Sequence, residues 1–194
     1  MPLNAPPSGA LFMIYCVSNS INCVMSPPSR DDSPFLTGSR MGSMPIIEDN
    51  LPIRRLEISD HKKGFVELLS QLTVCPPLSE SEFQDRFSEI SNLGDSHCIY
   101  VVEDPTTEGI IATGSVFIEK KFIRGGSKVG HVEDVVVAKS ARGLHLGQRI
   151  VKHLVDHAKA AGCYKVVLAC APELREFYEK CGFVEKNVQM TVYF

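Results

Sequence analysis

Apolar and polar positions follow their most regular pattern between residues 132 and 160. Residues 132–138 are mostly β-branched and few enough for a buried strand. A polar break covers residues 139–141, and from Leu146 the apolar side chains recur at helical spacing. The predicted helix has a buried stripe of Ile150, Val151, Leu154, Val155 and Ala158 and a polar face of Arg149, Lys152, Asp156 and Lys159. The pattern therefore predicts a strand, a loop and an amphipathic helix in succession.

The preceding part of the chain predicts one strand and two helices. The strand covers residues 51–58, and Ser59-Asp60 supplies a cap for the helix that follows. A Pro-Pro pair at 76–77 ends this helix, and a capping box of Ser79 and Glu82 begins the second. The buried faces are Phe65, Leu68, Leu69 and Leu72 in the first helix and Phe83, Phe87 and Ile90 in the second.

The remaining elements are a hairpin before the central unit and three elements after it. Residues 99–103 and 110–119 predict two strands joined by a turn. Gly162 ends the long helix. The chain then predicts a strand at 165–170, a helix at 172–180 and a last strand at 183–193.

Residues 1–44 differ in composition from the rest and are expected to form a disordered extension to a domain of residues 45–194. They are rich in Pro, Ser, Asn and Gly. An apolar island at 10–17 lacks a preceding basic residue, which argues against a secretory signal. Arg30, Arg40 and many serines leave an organellar targeting role open, and Met44 an alternative start.

Composition favours one domain that acts on small molecules. The chain has 194 residues, of which 44% are hydrophobic, and a net charge of −3. No basic run exceeds two residues, so a nucleic-acid partner is not expected. Seven cysteines without a C-x-x-C pair indicate reduced thiols. His153 and His157 lie one helical turn apart without the Glu of an H-E-x-x-H motif, so we expect solvated histidines and no metal.

The loop before the long helix carries the first chemical signal. Gly143 and Gly147 allow close backbone approach, and the free N–H groups of a helix N-terminus suit an anion such as a pyrophosphate. A tight turn without a ligand is the alternative. The stretch matches neither a dinucleotide nor a nucleoside-triphosphate motif. It resembles motif A of the GNAT superfamily of N-acetyltransferases, in which Arg142 and Gly147 match and His145 replaces the middle glycine.

A narrower resemblance covers about residues 50 to 194. The segments G-H-V-E-D-V-V-V at 130, G-C-Y-K at 162 and F-Y-E-K-C-G-F at 177 resemble the glucosamine-6-phosphate N-acetyltransferases. The order of predicted elements also resembles the GNAT fold, an α/β fold with a mixed, mostly antiparallel central sheet flanked by helices. The resemblance implies transfer of acetyl from acetyl-CoA to the amine of glucosamine 6-phosphate, on the route to UDP-N-acetylglucosamine.

Carried over residue by residue, the resemblance also implies the site. Main-chain groups of Val135, Val136 and Val137 would hold pantetheine. Tyr178 would bind the cofactor and protonate the departing thiolate. The pyrophosphate would lie on Arg142, Gly143, Leu144, His145, Leu146, Gly147 and Gln148, and the sugar phosphate among Thr73, Lys121, Phe122, Ile123, Arg124, Glu133, Asp134, Val135, Tyr164 and Lys165.

The chemistry of acetyl transfer supports a role for Glu133 and Asp134. An amine attacks a thioester only when unprotonated, so a base, an oxyanion donor and a proton for the thiolate are needed. Glu133 could act through water, and the N–H of Val135 could serve the oxyanion. Adjacent strand residues point to opposite faces, so we expect only one carboxylate to meet the substrate. The alternatives are a strand-end salt bridge for the acids, core packing for Tyr178 and ordinary surface charge for the basic residues.

Three departures from the family pattern leave other functions open. Ala169 stands where a carboxylate is usual, Leu174 where a polar residue can touch CoA, and Tyr193 near a basic position. A different amine acceptor, or a CoA-binding subunit without activity, are the alternatives. The resemblance also implies a homodimer through the C-terminal strand. We expect a cytoplasmic protein, with peripheral association with the cytoplasmic face of the endoplasmic reticulum as an open alternative.

Overall fold

The computed structural model describes residues 51–194, so the predictions for residues 1–44 lie outside it. Five strands form one sheet in the order β1-β2-β3-β4-β5. The strands are β1 (Ile53–Arg55), β2 (His97–Glu103), β3 (Ile110–Lys120), β4 (Lys128–Val137) and β5 (Cys163–Val167). The helices are α1 (Phe65–Leu69), α2 (Glu80–Ser91), the single turn α3 (Ile123–Gly126), α4 (Leu146–Ala160) and α5 (Arg175–Lys180).

The sheet is antiparallel from β1 to β4, and β5 lies parallel to β4. A parallel neighbour needs a crossover connection, which α4 provides. The predicted mixed and mostly antiparallel α/β fold is therefore confirmed.

Helix α4 packs on one face of the sheet through the predicted apolar stripe. Ile150, Val151, Leu154 and Ala158 are fully buried, whereas Val155 is half-buried. Burying each large apolar side chain contributes about 1.5–3 kcal/mol to folding. Gly114 of β3 allows this close packing, since a Cβ at Gly114 would lie 2.8 Å from Ile150 Cγ2.

Helices α1 and α2 cover the opposite face. Phe65, Val66 and Leu68 of α1 and Phe83 of α2 are buried there. The predicted capping box of α2 is confirmed, with Ser79 accepting from the Glu82 N–H and Glu82 accepting from the Ser79 N–H. The sheet is thus a central layer between two helical layers.

The first predicted strand is shorter than expected, because the chain turns into a 3₁₀ helix at Ile58–Lys63. Asp60 does not cap α1, whose N-cap is Gly64, but completes the capping box of the 3₁₀ helix with Glu57. It is fully buried, accepts from the Glu57 N–H at 2.8 Å and pairs with Arg54 at 2.7 and 2.8 Å. These bonds fix the turn between β1 and α1.

The prediction of a last strand at residues 183–193 is wrong. Residues 183–194 form no helix or strand and pair with none of β1 to β5. A strand requires a neighbour for its backbone hydrogen bonds. The segment leaves its large apolar side chains exposed: Val184, Val188, Met190, Val192, Tyr193 and Phe194.

The two histidines of α4 are not solvated as predicted. The His157 Nδ1 lies 2.9 Å from the Tyr100 hydroxyl and its Nε2 lies 3.0 Å from the Asp95 carbonyl oxygen. The ring of His153 lies 4.3 Å from the ring of Tyr100. Helical periodicity could not locate Tyr100, which reaches α4 from β2. In residues 51–194, no group of three or more His, Cys, Asp or Glu can hold a metal ion, and no helix is long and apolar enough to cross a membrane.

Candidate active site

The second half of β4 has a free edge. Pairing with β5 runs from Lys128 only to His131, whereas pairing with β3 continues to Val137. Ala138 then donates its N–H to the carbonyl oxygen of Ile111 in β3 at 2.8 Å. Because successive strand residues direct their main-chain groups to alternate sides, Val137 and Val135 direct theirs away from β3. These groups face the gap that opens between β4 and β5.

A β-bulge interrupts β4 beside this free edge. Two residues separate the paired Glu133 and Val136, whereas only Gly114 separates their partners Ser115 and Thr113. Asp134 occupies the bulge with a φ of 52°, in the left-handed region. A bulge of this kind redirects the side chains next to it.

The bulge brings both carboxyl groups to one face of the sheet. Glu133 pairs with Ser115 and so lies on the face of Ser115 and Ile99, because cross-strand partners share a face. Asp134 lines the same pocket as Ser115 and Ile99. The prediction that Glu133 and Asp134 point to opposite faces is therefore wrong, because the additional residue breaks the alternation.

The environment of these acids favours their protonated forms. Burial, and then the charge of Asp134, raise the pKa of Glu133 to about 7. Burial also raises the pKa of Asp134, although this residue retains contact with solvent. Among residues 51–194, no cation contributes to either change. Glu133 can therefore both accept and release a proton near neutral pH.

Asp134 borders an apolar pocket of about 180 Å³ between the sheet and the helices α1 and α2. Its walls include Phe65, Phe83 and Ile99. Cys75, from the loop between α1 and α2, also lines the pocket, and burial followed by the charge of Asp134 raises the pKa of its thiol. Thr73 lies two residues before Cys75 in this loop. We call the loop between α1 and α2 the acceptor loop, because it carries the predicted sugar-phosphate residue Thr73. The pocket thus lies between the acceptor loop and the bulge.

Three of the predicted sugar-phosphate residues form a cluster. Arg124 Cζ lies 5.0 Å and Lys165 Nζ 5.6 Å from the ring centroid of Tyr164. Lys121 Nζ instead lies 2.5 Å from Glu119, which also contacts His131 Nε2 at 3.0 Å. The cluster presents two cations around an aromatic ring, which suits an anionic group.

Phe122 and Ile123 occupy the tip between these basic residues. Their exposed fractions are 103% and 63%, so neither side chain packs into the domain. The tip precedes Arg124, whose φ of 54° lies in the left-handed region. The turn therefore directs Arg124 toward Tyr164 while it leaves the apolar tip in solvent.

The loop after β4 presents main chain and a few polar side chains. Gly143 and His145 adopt left-handed conformations with φ of 87° and 53°. Leu146 is buried and Leu144 packs against the core, so neither side chain faces the loop surface. The side chains that can meet a ligand are those of Arg142, His145 and Gln148. The first helical bond runs from the Arg149 N–H to the His145 carbonyl oxygen at 3.1 Å. The N–H groups before it have no acceptor within α4, an arrangement that suits an anion.

Gly147 has a packing role at this loop. A Cβ at Gly147 would lie 3.1 Å from Phe177 Cζ of α5. At Gly143, by contrast, a Cβ would meet no atom within 4 Å. The glycine at 147 therefore lets α5 approach α4, and with it Tyr178.

A comparison with protein families decides what this arrangement is. Residues 65–183 match the model of the acetyltransferase (GNAT) family. The chain belongs to the GNAT family of acetyltransferases. Its free β4 edge, bulge and loop before α4 are therefore features of a GNAT domain.

Two plant relatives of this chain share one named activity. A protein of Oryza sativa subsp. japonica named probable glucosamine 6-phosphate N-acetyltransferase 2 is 60% identical over 147 residues, which cover 75% of this chain and 89% of that protein. The glucosamine 6-phosphate N-acetyltransferase of Arabidopsis thaliana is 53% identical over 146 residues, which cover 75% of this chain and 98% of that protein. Its crystal structure matches with a TM-score of 0.73, covering 75% of this chain and 99% of that one.

Tyr178 and the three departures from the family pattern follow β5 in the chain. Tyr178 is half-buried, and its ring lies 5.0 Å from that of Phe177 and 6.1 Å from that of Phe183. Ala169 is exposed in the loop that follows β5, and Leu174 is half-buried just before α5. Tyr193 is exposed in the C-terminal segment, with no strand beside it.

Sequence reasoning missed several residues of this GNAT site. The apolar walls of the pocket come from separate elements, and nothing in the local pattern marks them as neighbours of Asp134. Gln71 was also missed, although its side chain reaches the loop after β4, where its Oε1 accepts from the Lys139 N–H at 3.0 Å. No local motif signals such a contact between residues far apart in sequence.

Proposed function

We propose that this GNAT domain transfers the acetyl group of acetyl-CoA to the amine of glucosamine 6-phosphate. The Glu133–Asp134 pair carries the proposal, because it places a carboxyl of pKa about 7 beside a free strand edge and an apolar pocket. The relatives that bear this activity in their names are 53–60% identical to the chain. Site and relatives support the same reaction.

The residues at the gap fit acetyl-CoA. The N–H groups at the start of α4, with Arg142, would bind the pyrophosphate. The outward main-chain groups of Val135 and Val137 would hold the pantetheine arm as a neighbouring strand would. Val136 would contribute less than predicted, since the alternation that follows from the Ala138 N–H bond to Ile111 directs the Val136 main-chain groups toward β3. This arrangement would bring the thioester to the bulge.

The reaction is direct attack of the amine on the thioester carbon. Glu133 would take a proton from the ammonium group, directly or through water, because its pKa of about 7 suits proton exchange with a sugar amine. The nitrogen then forms the amide bond, and the Val135 N–H would stabilise the carbonyl oxygen. As the tetrahedral intermediate collapses, the attacking nitrogen would lose its second proton to water. The carbon–sulfur bond then breaks with its electron pair on sulfur, and Tyr178 would protonate the thiolate and regain its proton from solvent.

The Arg124–Tyr164–Lys165 cluster would select the phosphorylated sugar. Charge-assisted hydrogen bonds to a phosphate contribute about 1.5–3 kcal/mol each, or roughly ten- to a hundredfold in affinity. Lys121 would join the phosphate site only by exchanging or sharing its Glu119 partner. The cluster would thus give the reaction its preference for glucosamine 6-phosphate over glucosamine.

The experiment is release of CoA thiol by the purified full-length protein with acetyl-CoA and either sugar. We expect kcat/KM to be at least about tenfold higher for glucosamine 6-phosphate. Arg124→Ala should remove most of this preference. Lys152→Ala, which removes an exposed cation paired with Asp156 on α4, is the control and should preserve it. CoA binding without turnover on any amine would instead support a CoA-binding subunit without activity, as Ala169 allows.

The C-terminal segment would pair with a second copy of the chain. Val188, Met190 and Val192 alternate with polar residues and are 90%, 92% and 71% exposed, the pattern of an edge strand that lacks its neighbour. A homodimer through this segment would satisfy its backbone and cover these side chains. Light scattering should show a dimer. The double variant Val188→Lys and Val192→Lys should be monomeric, whereas Gln189→Lys on the other face should remain dimeric.

A further inference from the structure

Gln71 joins the two loops that the proposed function assigns to different substrates. Its Oε1 accepts a hydrogen bond from the main-chain N–H of Lys139 at 3.0 Å. Gln71 lies two residues before Thr73 of the acceptor loop, and Lys139 three residues before Arg142 of the pyrophosphate loop. The bond is therefore a direct contact between the acceptor side and the cofactor side.

The acceptor end of this contact is held firmly. The N–H groups of Gln71, Leu72 and Thr73 all bond to carbonyl oxygens of the last turn of α1, at 3.0, 2.9 and 3.3 Å. Helix α1 is itself fixed to the sheet by Phe65, Val66 and Leu68, which are buried. Gln71 and Thr73 are therefore anchored to the same turn of α1.

The cofactor end is held in a similar way. Ala138 and Ala141, on either side of Lys139, are both buried. The Ala138 N–H bonds to Ile111 of β3 at 2.8 Å, and the Ala141 N–H bonds to the Ala138 carbonyl oxygen at 2.9 Å. A ligand that orders the loop from Arg142 to Gln148 thus acts on a segment continuous with Lys139. The Gln71 side chain is a direct contact between this segment and the loop that carries Thr73.

We propose that Gln71 is a positioning residue that couples the two binding events, so that bound CoA favours the Thr73 conformation that accepts glucosamine 6-phosphate. The inference rests on the proposed function and names a residue that acts on the same site without touching the reacting atoms. The coupling depends on the Gln71 side chain but not on the Lys139 side chain, because the donor is a backbone N–H.

The test is calorimetric titration of the full chain with glucosamine 6-phosphate, in the absence and presence of saturating CoA. CoA without its acetyl group prevents turnover. In the wild type, CoA should increase affinity for the sugar phosphate about fivefold or more. Gln71→Ala should reduce this factor to about two or less, since one hydrogen bond of this kind accounts for about two- to tenfold. Affinity for CoA alone should change less than about twofold.

Lys139 offers a matched pair of variants. Lys139→Pro removes the donor N–H at the first residue of a 3₁₀ turn, a position that tolerates proline. The preceding Ala138, with φ −51° and ψ 139°, already has a conformation compatible with proline. Lys139→Ala removes the same side chain but keeps the N–H. We expect Lys139→Pro to lose the coupling and Lys139→Ala to keep it. The double variant Gln71→Ala with Lys139→Pro should lose no more of the coupling than either single variant.

The outcomes separate the inference from the function on which it rests. Retention of the CoA effect in Gln71→Ala, or an equal loss in Lys139→Ala and Lys139→Pro, would overturn the coupling role. A wild type that binds CoA but shows no affinity for glucosamine 6-phosphate would overturn the proposed substrate instead. Thermal melting monitored by circular dichroism identifies any variant that does not fold. If Gln71→Ala does not fold, the comparison of Lys139→Pro with Lys139→Ala tests the coupling. If Lys139→Pro does not fold, Gln71→Ala tests it.

Discussion

Two acidic clusters on the same sheet have opposite surroundings. In the β1 cluster, Asp60 pairs with Arg54 and Glu103 pairs with both Arg54 and Lys63, at distances of 2.5 to 2.7 Å. In the bulge cluster, no cation contributes to the environment of Glu133 and Asp134 within residues 51–194. Hydrogen bonds first from Lys63 and then from Arg54 lower the pKa of Glu103, whereas burial raises the pKa of Glu133 to about 7.

The difference shows how one domain separates structural from chemical acids. Paired carboxylates fix the turn between β1 and α1, and the pKa of Glu103 among them is lowered by its cationic partners. Burial at the bulge disfavours the charged forms of Glu133 and Asp134, which costs stability. The pKa of Glu133, about 7, keeps its proton exchangeable at neutral pH. Removal of an acid should therefore affect stability in the first cluster and rate in the second.

The largest effect is expected at Glu133. Glu133→Gln keeps the size of the side chain but removes the base, so kcat should fall about 10²- to 10⁴-fold. In the wild type, kcat/KM should increase with pH through about 7 as Glu133 loses its proton, and the variant should lose this dependence. Steady-state kinetics with glucosamine 6-phosphate across pH measures both. Glu103→Gln is the control, and an equal rate loss there would contradict the assignment of roles.

Asp60→Asn should give the largest loss of stability. Asp60 is fully buried and faces Arg54, so neutralising it leaves a partly buried guanidinium whose acid partner within residues 51–194 is Glu103. We expect the free energy of unfolding in urea to fall by about 3 kcal/mol, with kcat of the folded protein retained. Asp156→Asn, at an exposed pair with Lys152, should cost less than about 0.5 kcal/mol. Equal losses in the two variants would show that burial of the pair contributes nothing.

The two clusters also differ in how far the sequence predicts them. The run from 132 to 160 predicts β4, its loop and α4, because hydrophobic periodicity depends on neighbours along the chain. Asp60 appears from local pattern to be a helix cap, since its partner Arg54 is set by tertiary contact. The bulge at Asp134 depends on the register with Gly114, which no local pattern encodes. The family resemblance named the site residues, whereas their shared face required the structure.

Gly114 and Gly130 test whether packing at the bulge affects chemistry as well as stability. A Cβ at Gly114 would lie 2.8 Å from Ile150 Cγ2, and one at Gly130 would lie 2.7 Å from Ala158 Cβ, so both substitutions overpack the α4 interface. Each alanine variant should lose about 1–3 kcal/mol of stability in urea unfolding. Only Gly114 lies opposite the bulge, so Gly114→Ala should also lower kcat. If Gly130→Ala lowered kcat equally, general loosening of α4 would explain both.

The smallest effect is a contrast in the pH dependence of stability. The pKa of Glu133 in the folded protein, about 7, exceeds its ordinary value of 4.5, so its stabilising contribution is complete below 4.5 and is lost as pH rises through about 7. Glu103 has a lowered pKa, so its contribution is present above its ordinary value of 4.5 and is lost as pH falls through its folded-state pKa. Thermal melting across pH should show a shallower neutral-side decline in Glu133→Gln and a shallower acid-side decline in Glu103→Gln. Because both side chains keep contact with water, solvent screening makes each change small. If Glu133→Gln instead changed the acid-side decline and Glu103→Gln the neutral-side decline, the surroundings of the two acids would not set their ionisation.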